Sequence, residues 1–71
     1  MVYFEEYDGE GFDEFNVKLV HETHKAILIK YGNRKIWLPK AELEEFDEFN
    51  HDPGDEITIS VAEWLANIEL N

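Results

Sequence analysis

Seventy-one residues with seventeen acidic and six basic side chains carry a formal net charge of −11 and leave room for one domain with one modest core. An apolar fraction of 44%, with five Phe, three Tyr and two Trp, is too rich for a disordered acidic tail. The lack of Cys excludes a disulfide framework and thiolate metal sites, and a chain this short does not suit a large substrate cleft.

The chain opens on an acidic N-terminal segment, residues 1–14, holding Glu5, Glu6, Asp8, Glu10, Asp13 and Glu14 and no Lys or Arg. A signal peptide would begin basic, and the longest aliphatic run, Ala26-Ile27-Leu28-Ile29, is far too short to span a membrane. A cytoplasmic protein with no membrane contact is expected.

Residues 15–40 read as a three-stranded antiparallel β-meander. Phe15-Asn16-Val17-Lys18-Leu19-Val20 alternates with a period of two, as a half-buried strand does. His21-Glu22-Thr23-His24 reads as a polar turn, Lys25 to Tyr31 as the second strand and Arg34 to Leu38 as the third. Gly32-Asn33 between them is a two-residue hairpin loop. Antiparallel counting from that loop places Tyr31 opposite Arg34, Ile29 opposite Ile36, Leu28 opposite Trp37 and Ile27 opposite Leu38. Both hairpin faces are then apolar, which predicts a central, curled or covered position. Pro39 ends the pairing because it has no N–H to donate.

Residues 41–56 form an acidic connection with Glu42, Glu44, Glu45, Asp47, Glu48, Asp52, Asp55 and Glu56 and again no Lys or Arg. One short helical turn is expected between Lys40 and Phe46, and a tight turn at Asp52-Pro53-Gly54-Asp55. Residues 57–71 read as a strand with Ile57, Ile59 and Val61 on one side, followed by a helix. Ser60-Val61-Ala62-Glu63 matches a capping box, and Val61, Trp64, Leu65 and Ile68 recur at helical spacing. The fold class is α+β, mainly β: one domain over 1–71, with a small antiparallel sheet of four or five strands, curled or barrel-like, and a short C-terminal helix. A monomer or a homodimer is compatible with this reading.

Chemistry is sparse. Asp8-Gly9-Glu10-Gly11-Phe12-Asp13 begins like a calcium loop, but the sixth position is not Gly and the twelfth is Leu19 instead of Glu. His21 and His24 are three apart, not four apart on a helix as in a zinc protease. Ser60 is the single Ser, and no glycine-rich phosphate loop is present. A non-enzymatic protein without metal or cofactor is expected. Phe-Asp-Glu-Phe-Asn occurs at 12–16 and again at 46–50, read here mainly as coincidence in a chain rich in Phe and acids.

The sorted charge carries the functional content. All six bases lie between Lys18 and Lys40, and the acidic blocks flank them. Acidic loops keep a small domain soluble. They also suit mimicry of a nucleic-acid backbone: acids two apart on an extended chain, such as Glu42 and Glu44, project the same way ~6.6 Å apart, comparable to successive phosphates. On that reading Glu5, Glu6, Asp8, Glu10, Asp13, Glu14, Glu44, Glu45, Asp47 and Glu48 face the basic groove of a host nucleic-acid-binding protein, and no direct nucleic-acid binding is expected: binding through Lys18, Lys25, Lys30, Arg34, Lys35 and Lys40 would need the basic strands to form one continuous patch, and the net charge of −11 argues against it. Tyr3, Phe4, Tyr7, Phe12, Phe46 and Phe49 serve as apolar anchors or as core.

The stretch from Val17 to Leu65 also resembles a pattern common among small phage and prophage proteins. In these a Thr-x-Lys-Ala strand start, here Thr23-His24-Lys25-Ala26, leads to a Trp-(Leu or Ile)-Pro-Lys strand end, here Trp37-Leu38-Pro39-Lys40, and a later strand runs into a Trp-Leu-Ala helix, here Trp64-Leu65-Ala66. The chain departs from the pattern in its acidic N-terminal block and in Ala41-Glu42, where a Ser-Gln pair often follows the Lys. The resemblance implies a small β-rich domain of phage or mobile-element origin. Small acidic phage proteins of this type include anti-CRISPR inhibitors, some of which resemble DNA in charge and occupy the basic groove of a Cas effector. Most such proteins have no assigned activity, so the resemblance implies a setting and not a mechanism; joined to the sorted charge, it makes an inhibitor of a host nucleic-acid-binding defence machine, such as a CRISPR-Cas effector complex, the expected function. A phage accessory module that binds proteins by a sheet edge or aromatic residues is the alternative.

Overall fold

The computed structural model describes residues 11–70. Four antiparallel strands, β1 (Phe12–Glu22), β2 (Ala26–Tyr31), β3 (Arg34–Pro39) and β4 (Glu56–Ala62), form one sheet in the order β3-β2-β1-β4. A single 3₁₀ turn, Lys40–Glu42, follows β3, and the helix α1 (Glu63–Glu69) follows β4. Among the described residues the sheet stays open, since β3 and β4 lie at opposite edges and do not pair. Of the four or five strands expected, four are present there with the short C-terminal helix, and no barrel closes.

The hairpin register read from the Gly32-Asn33 loop is the one observed, from Tyr31 opposite Arg34 to Ile27 opposite Leu38. Gly32 takes a φ of 64°, as the first central residue of a II′-type turn must. Val17, Leu19, Ile27, Ile29, Ile36, Leu38, Ile57, Ile59 and Val61 all project to one face and form the core. Only that face is covered. Trp37, on the other, is 52% exposed, and β3 is an edge strand, so the hairpin is neither central nor covered on both sides.

Two local departures position everything else. β1 begins at Phe12, so Asp13 and Glu14 belong to a strand and not to an N-terminal segment; Asp13 pairs with Val61 and Glu14 with Ser60. Farther along, the pairing of β1 with β2 slips between Leu19 and His21, where Val20 is the extra residue of a bulge. The slip exchanges the faces of all that follows. Glu22, which strict alternation from Val17 and Leu19 would point to solvent, pairs instead with the fully buried Ile27 on the core side. His21 and Glu22 are therefore strand residues, and the turn is confined to Thr23–Lys25.

The capping box at Ser60 does not form. Ser60 stays in β4, its carbonyl accepts the Glu44 amide at 2.9 Å, and the helix starts at Glu63 with Ala62 as an N-cap that offers no side-chain acceptor. Burial of Val61 and Ala62 in the strand outweighs a cap of ~1 kcal/mol. The helix buries Leu65 and Ala66 and leaves Trp64 and Ile68 exposed, a different stripe from the one the sequence period suggested. It packs on β4 and β1, and the Arg34 guanidinium donates to the Glu69 carbonyl at 2.6 Å, tying the start of β3 to the helix C-terminus.

Candidate interaction surface

The connection between β3 and β4 must cross from one sheet edge to the other. It does so as the 3₁₀ turn, then buries Leu43 in the core and bridges it to Val61 on the outer edge of β4. The Glu44 amide continues that pairing to Ser60, whose other neighbour across the sheet is Glu14. Residues from both acidic blocks thereby meet. Glu14, Glu44, Glu45 and Asp47 line one surface depression together with Phe46, His51, Thr58, Ile59 and Ser60.

The other expected acids divide. Asp13 lies on the strand face opposite to Glu14, half-buried beside Val61. Glu48 is exposed, and its Oε1 sits 3.3 Å from the Lys40 ammonium. Glu5, Glu6, Asp8 and Glu10, like Tyr3, Phe4 and Tyr7, lie outside the described residues. Of the remaining aromatics, Phe46 packs on the core, while Phe49 and Phe12 are exposed.

What holds the acidic loop in place is a pair the sequence did not single out. Lys40 Nζ is 2.9 Å from Glu22 Oε2, and the same oxygen accepts the Phe49 amide at 2.8 Å. The Lys40 ammonium also lies 4.1 Å from the Phe49 ring centroid and 5.9 Å from that of Phe46. His24 meets Phe49 edge to face at 5.6 Å, and His51 lies against Phe46. Glu45 and Phe49 adopt left-handed φ values of 55° and 59°, a strain of about 1 kcal/mol or more each that persists only where surrounding contacts over-determine it. The Glu22 cluster fixes Phe49, and the Glu44 bond to β4 with Phe46 in the core brackets Glu45.

Desolvation would raise the pKa of Glu22. The Lys40 hydrogen bond, the Phe49 amide and the charges of Lys40 and His51 outweigh it, and the carboxyl is held below its ordinary value. Desolvation would likewise lower Lys40, but its hydrogen bonds to Glu22 and Glu48 and their charges raise it instead. Both ends of the pair are charged at neutral pH. The signal that could have exposed it is the missing alternation at Val20-His21, which marks the bulge.

Among the described residues no group of three His, Cys, Asp or Glu side chains can hold a metal ion, and no helix is long and apolar enough to cross a membrane. Comparison with protein-family models, with curated proteins and with solved structures found no match.

Proposed function

We propose that this chain is a stoichiometric binding protein that sets the carboxylates of Glu14, Glu44, Glu45 and Asp47 into a basic nucleic-acid-binding groove and excludes the nucleic acid by competition. The observation that carries the reading is the joining of the two acidic blocks around one depression by the Leu43–Val61 bridge and the Glu44–Ser60 hydrogen bond. Glu14 in β1 and Glu44 on its bond to Ser60 are fixed by backbone pairing, and Phe46 packed on the core holds the backbone between Glu45 and Asp47, which limits the ordering that binding has to supply. A groove lined by Arg and Lys is attracted to these carboxylates by the same salt-screened electrostatics that attract it to phosphates. The phage-like Trp37-Leu38-Pro39-Lys40 pattern directs the choice of target to a CRISPR effector complex of the host cell.

A second reading, an accessory interaction module, is favoured by the exposed Trp37 on the uncovered sheet face. Affinity capture from bacterial lysates containing CRISPR effectors, eluted in salt steps with and without excess duplex DNA, separates the two. Recovery of a nucleic-acid-binding complex that salt and DNA both displace, and that the quadruple variant Glu14→Lys, Glu44→Lys, Glu45→Lys, Asp47→Lys fails to recover, supports competition. A partner indifferent to salt and DNA, and retained by that variant, overturns it in favour of the module.

A further inference from the structure

The bases are as ordered as the acids. Lys18 pairs directly with Lys30, and Lys30 with Lys35, so three lysines stand in one row across β1, β2 and β3. All three are exposed on the uncovered face, and among the described residues none forms an ion pair. Like charges directly opposite on neighbouring strands are destabilising. With only six bases in the chain, placing three side by side is the costly arrangement unless something anionic lies over them.

One register step away runs a second row, His21, Leu28 and Trp37, also across β1, β2 and β3. The exposed Trp37 indole is braced by the His21 ring at 6.3 Å and an interplanar angle of 89°. A cationic row beside an aromatic platform on an open sheet is the combination that single-stranded nucleic acid uses: phosphates over the lysines, a base stacked on the indole. The row spans two strand spacings, about 10 Å, enough for two or three phosphates.

The acids are unevenly spread over this face: Glu56 stands beside Lys18 in the row, while Lys30 and Lys35 have no acid opposite them. Residues 25–41 contain five bases and no acid. Glu14 is four residues from Lys18 along β1, ~13 Å, which exceeds a Debye length of about 8 Å at physiological salt. Glu56 faces Lys18 across the β1–β4 pair, so Lys30 and Lys35 hold the phosphates more strongly than Lys18 does. An acidic peptide is the poorer fit, because the one free edge beside the row is that of β3, and a peptide added there would lie next to Lys35 and not across Lys30 and Lys18.

We infer that the uncovered face of the β2–β3 hairpin, with Lys18, Lys30, Lys35 and Trp37, binds single-stranded nucleic acid without sequence preference. This site is separate from the acidic depression and does not rest on the competition reading. A partner that is itself a nucleoprotein would offer both surfaces their complements.

The test is a fluorescence titration of the full chain with a 12-nucleotide oligothymidylate at several salt concentrations. Saturable Trp quenching is expected, with a slope of log K against log salt of about −2, since three phosphate contacts contribute about −0.7 each. Lys30→Glu with Lys35→Glu should abolish binding, and Trp37→Leu should remove the quenching and weaken binding roughly tenfold. Circular dichroism checks that these variants fold. If they do not, amide shifts of Lys30, Lys35 and Trp37 in the unaltered chain on adding the oligonucleotide provide the same test. No binding at low salt, binding unchanged in the lysine variant, or equal binding of a deca-glutamate peptide with the same salt slope would overturn the inference.

Discussion

Lys40 Nζ lies 2.9 Å from Glu22 Oε2 with only 8% and 7% of the two side chains exposed, and the pair joins the far end of β1 to the start of the acidic loop. Glu22 reaches that position only because the Val20 bulge turns it to the core side. Its second oxygen, Oε1, is buried without a hydrogen-bond partner, so the carboxylate depends on Lys40 and the Phe49 amide for its charge. Removing one partner of a covered pair leaves the other uncompensated. Glu22→Gln should lower the Tm more than Glu45→Gln does, and limited proteolysis should find new cleavage between residues 44 and 51. Equal Tm losses for the two variants would mean that the pair does not hold the loop.

The same pair fixes a pH dependence. Glu22 has a lowered pKa in the fold, so its stabilisation is complete above its ordinary value of 4.5 and is lost as pH falls through the lower folded value. Lys40 has a raised pKa, so its share is complete below its ordinary 10.5 and is lost as pH rises through the higher folded value. The Tm difference between the unaltered chain and Glu22→Gln should therefore be present above pH 4.5 and shrink as pH falls below that ordinary value. Thermal melts above and below that value check it, and a difference that grew in acid would contradict the assigned direction.

Sequence and structure agree where one residue type dictates the geometry. Gly32 fixes the hairpin because its positive φ allows a two-residue loop, and the whole β2–β3 register follows by counting. The bulge at Val20 is marked only by the broken alternation at Val20-His21, which a turn starting at His21 explains equally well, so a reading from the sequence begins the turn two residues early and makes Glu22 a loop acid. Ser60 satisfied a local capping rule, but burial of Val61 and Ala62 decided the element. For α1, seven residues are under two turns, too short for periodicity to distinguish the exposed Trp64 and Ile68 from the buried Leu65 and Ala66. Of the expected acidic surface, Glu14, Glu44, Glu45 and Asp47 could be grouped by charge, but their meeting depends on the Leu43 bridge to β4, a nonlocal contact that no local pattern announces.

Core and open face should respond oppositely to truncation. Leu19 is fully buried, and Leu19→Ala is expected to cost about 2–5 kcal/mol. Trp37→Ala, on the uncovered face, should stay within about 1 kcal/mol despite removing a larger side chain. Urea unfolding followed by circular dichroism measures both. A large loss at Trp37 would mean that the outer face is covered in solution, as in a dimer through this face, and sedimentation would then show the second copy.

Arg34 closes the helix end by donating to the Glu69 carbonyl, where the helix dipole favours a cation. No basic residue lies in the last turn of α1 itself, so this distant guanidinium is the charge that complements it. Arg34→Ala should cost about 0.5–1 kcal/mol and speed amide hydrogen exchange in residues 66–70 ahead of the sheet. Unchanged exchange in α1 would show that the contact does not anchor the helix.

Glu45 separates stability from binding. Its φ of 55° suits glycine, and it adds a like charge beside Glu44 and Asp47, so the residue is retained against its own conformational cost. Glu45→Gly should raise stability by about 1 kcal/mol in urea unfolding. If the acidic depression enters a basic groove, the same change should remove about one ionic contact and reduce the salt slope of partner binding by about 1, with the loss of affinity largest at low salt and vanishing toward high salt. A variant that is more stable and binds with an unaltered salt slope would take Glu45 out of the interface and leave only Glu14, Glu44 and Asp47 to carry the competition.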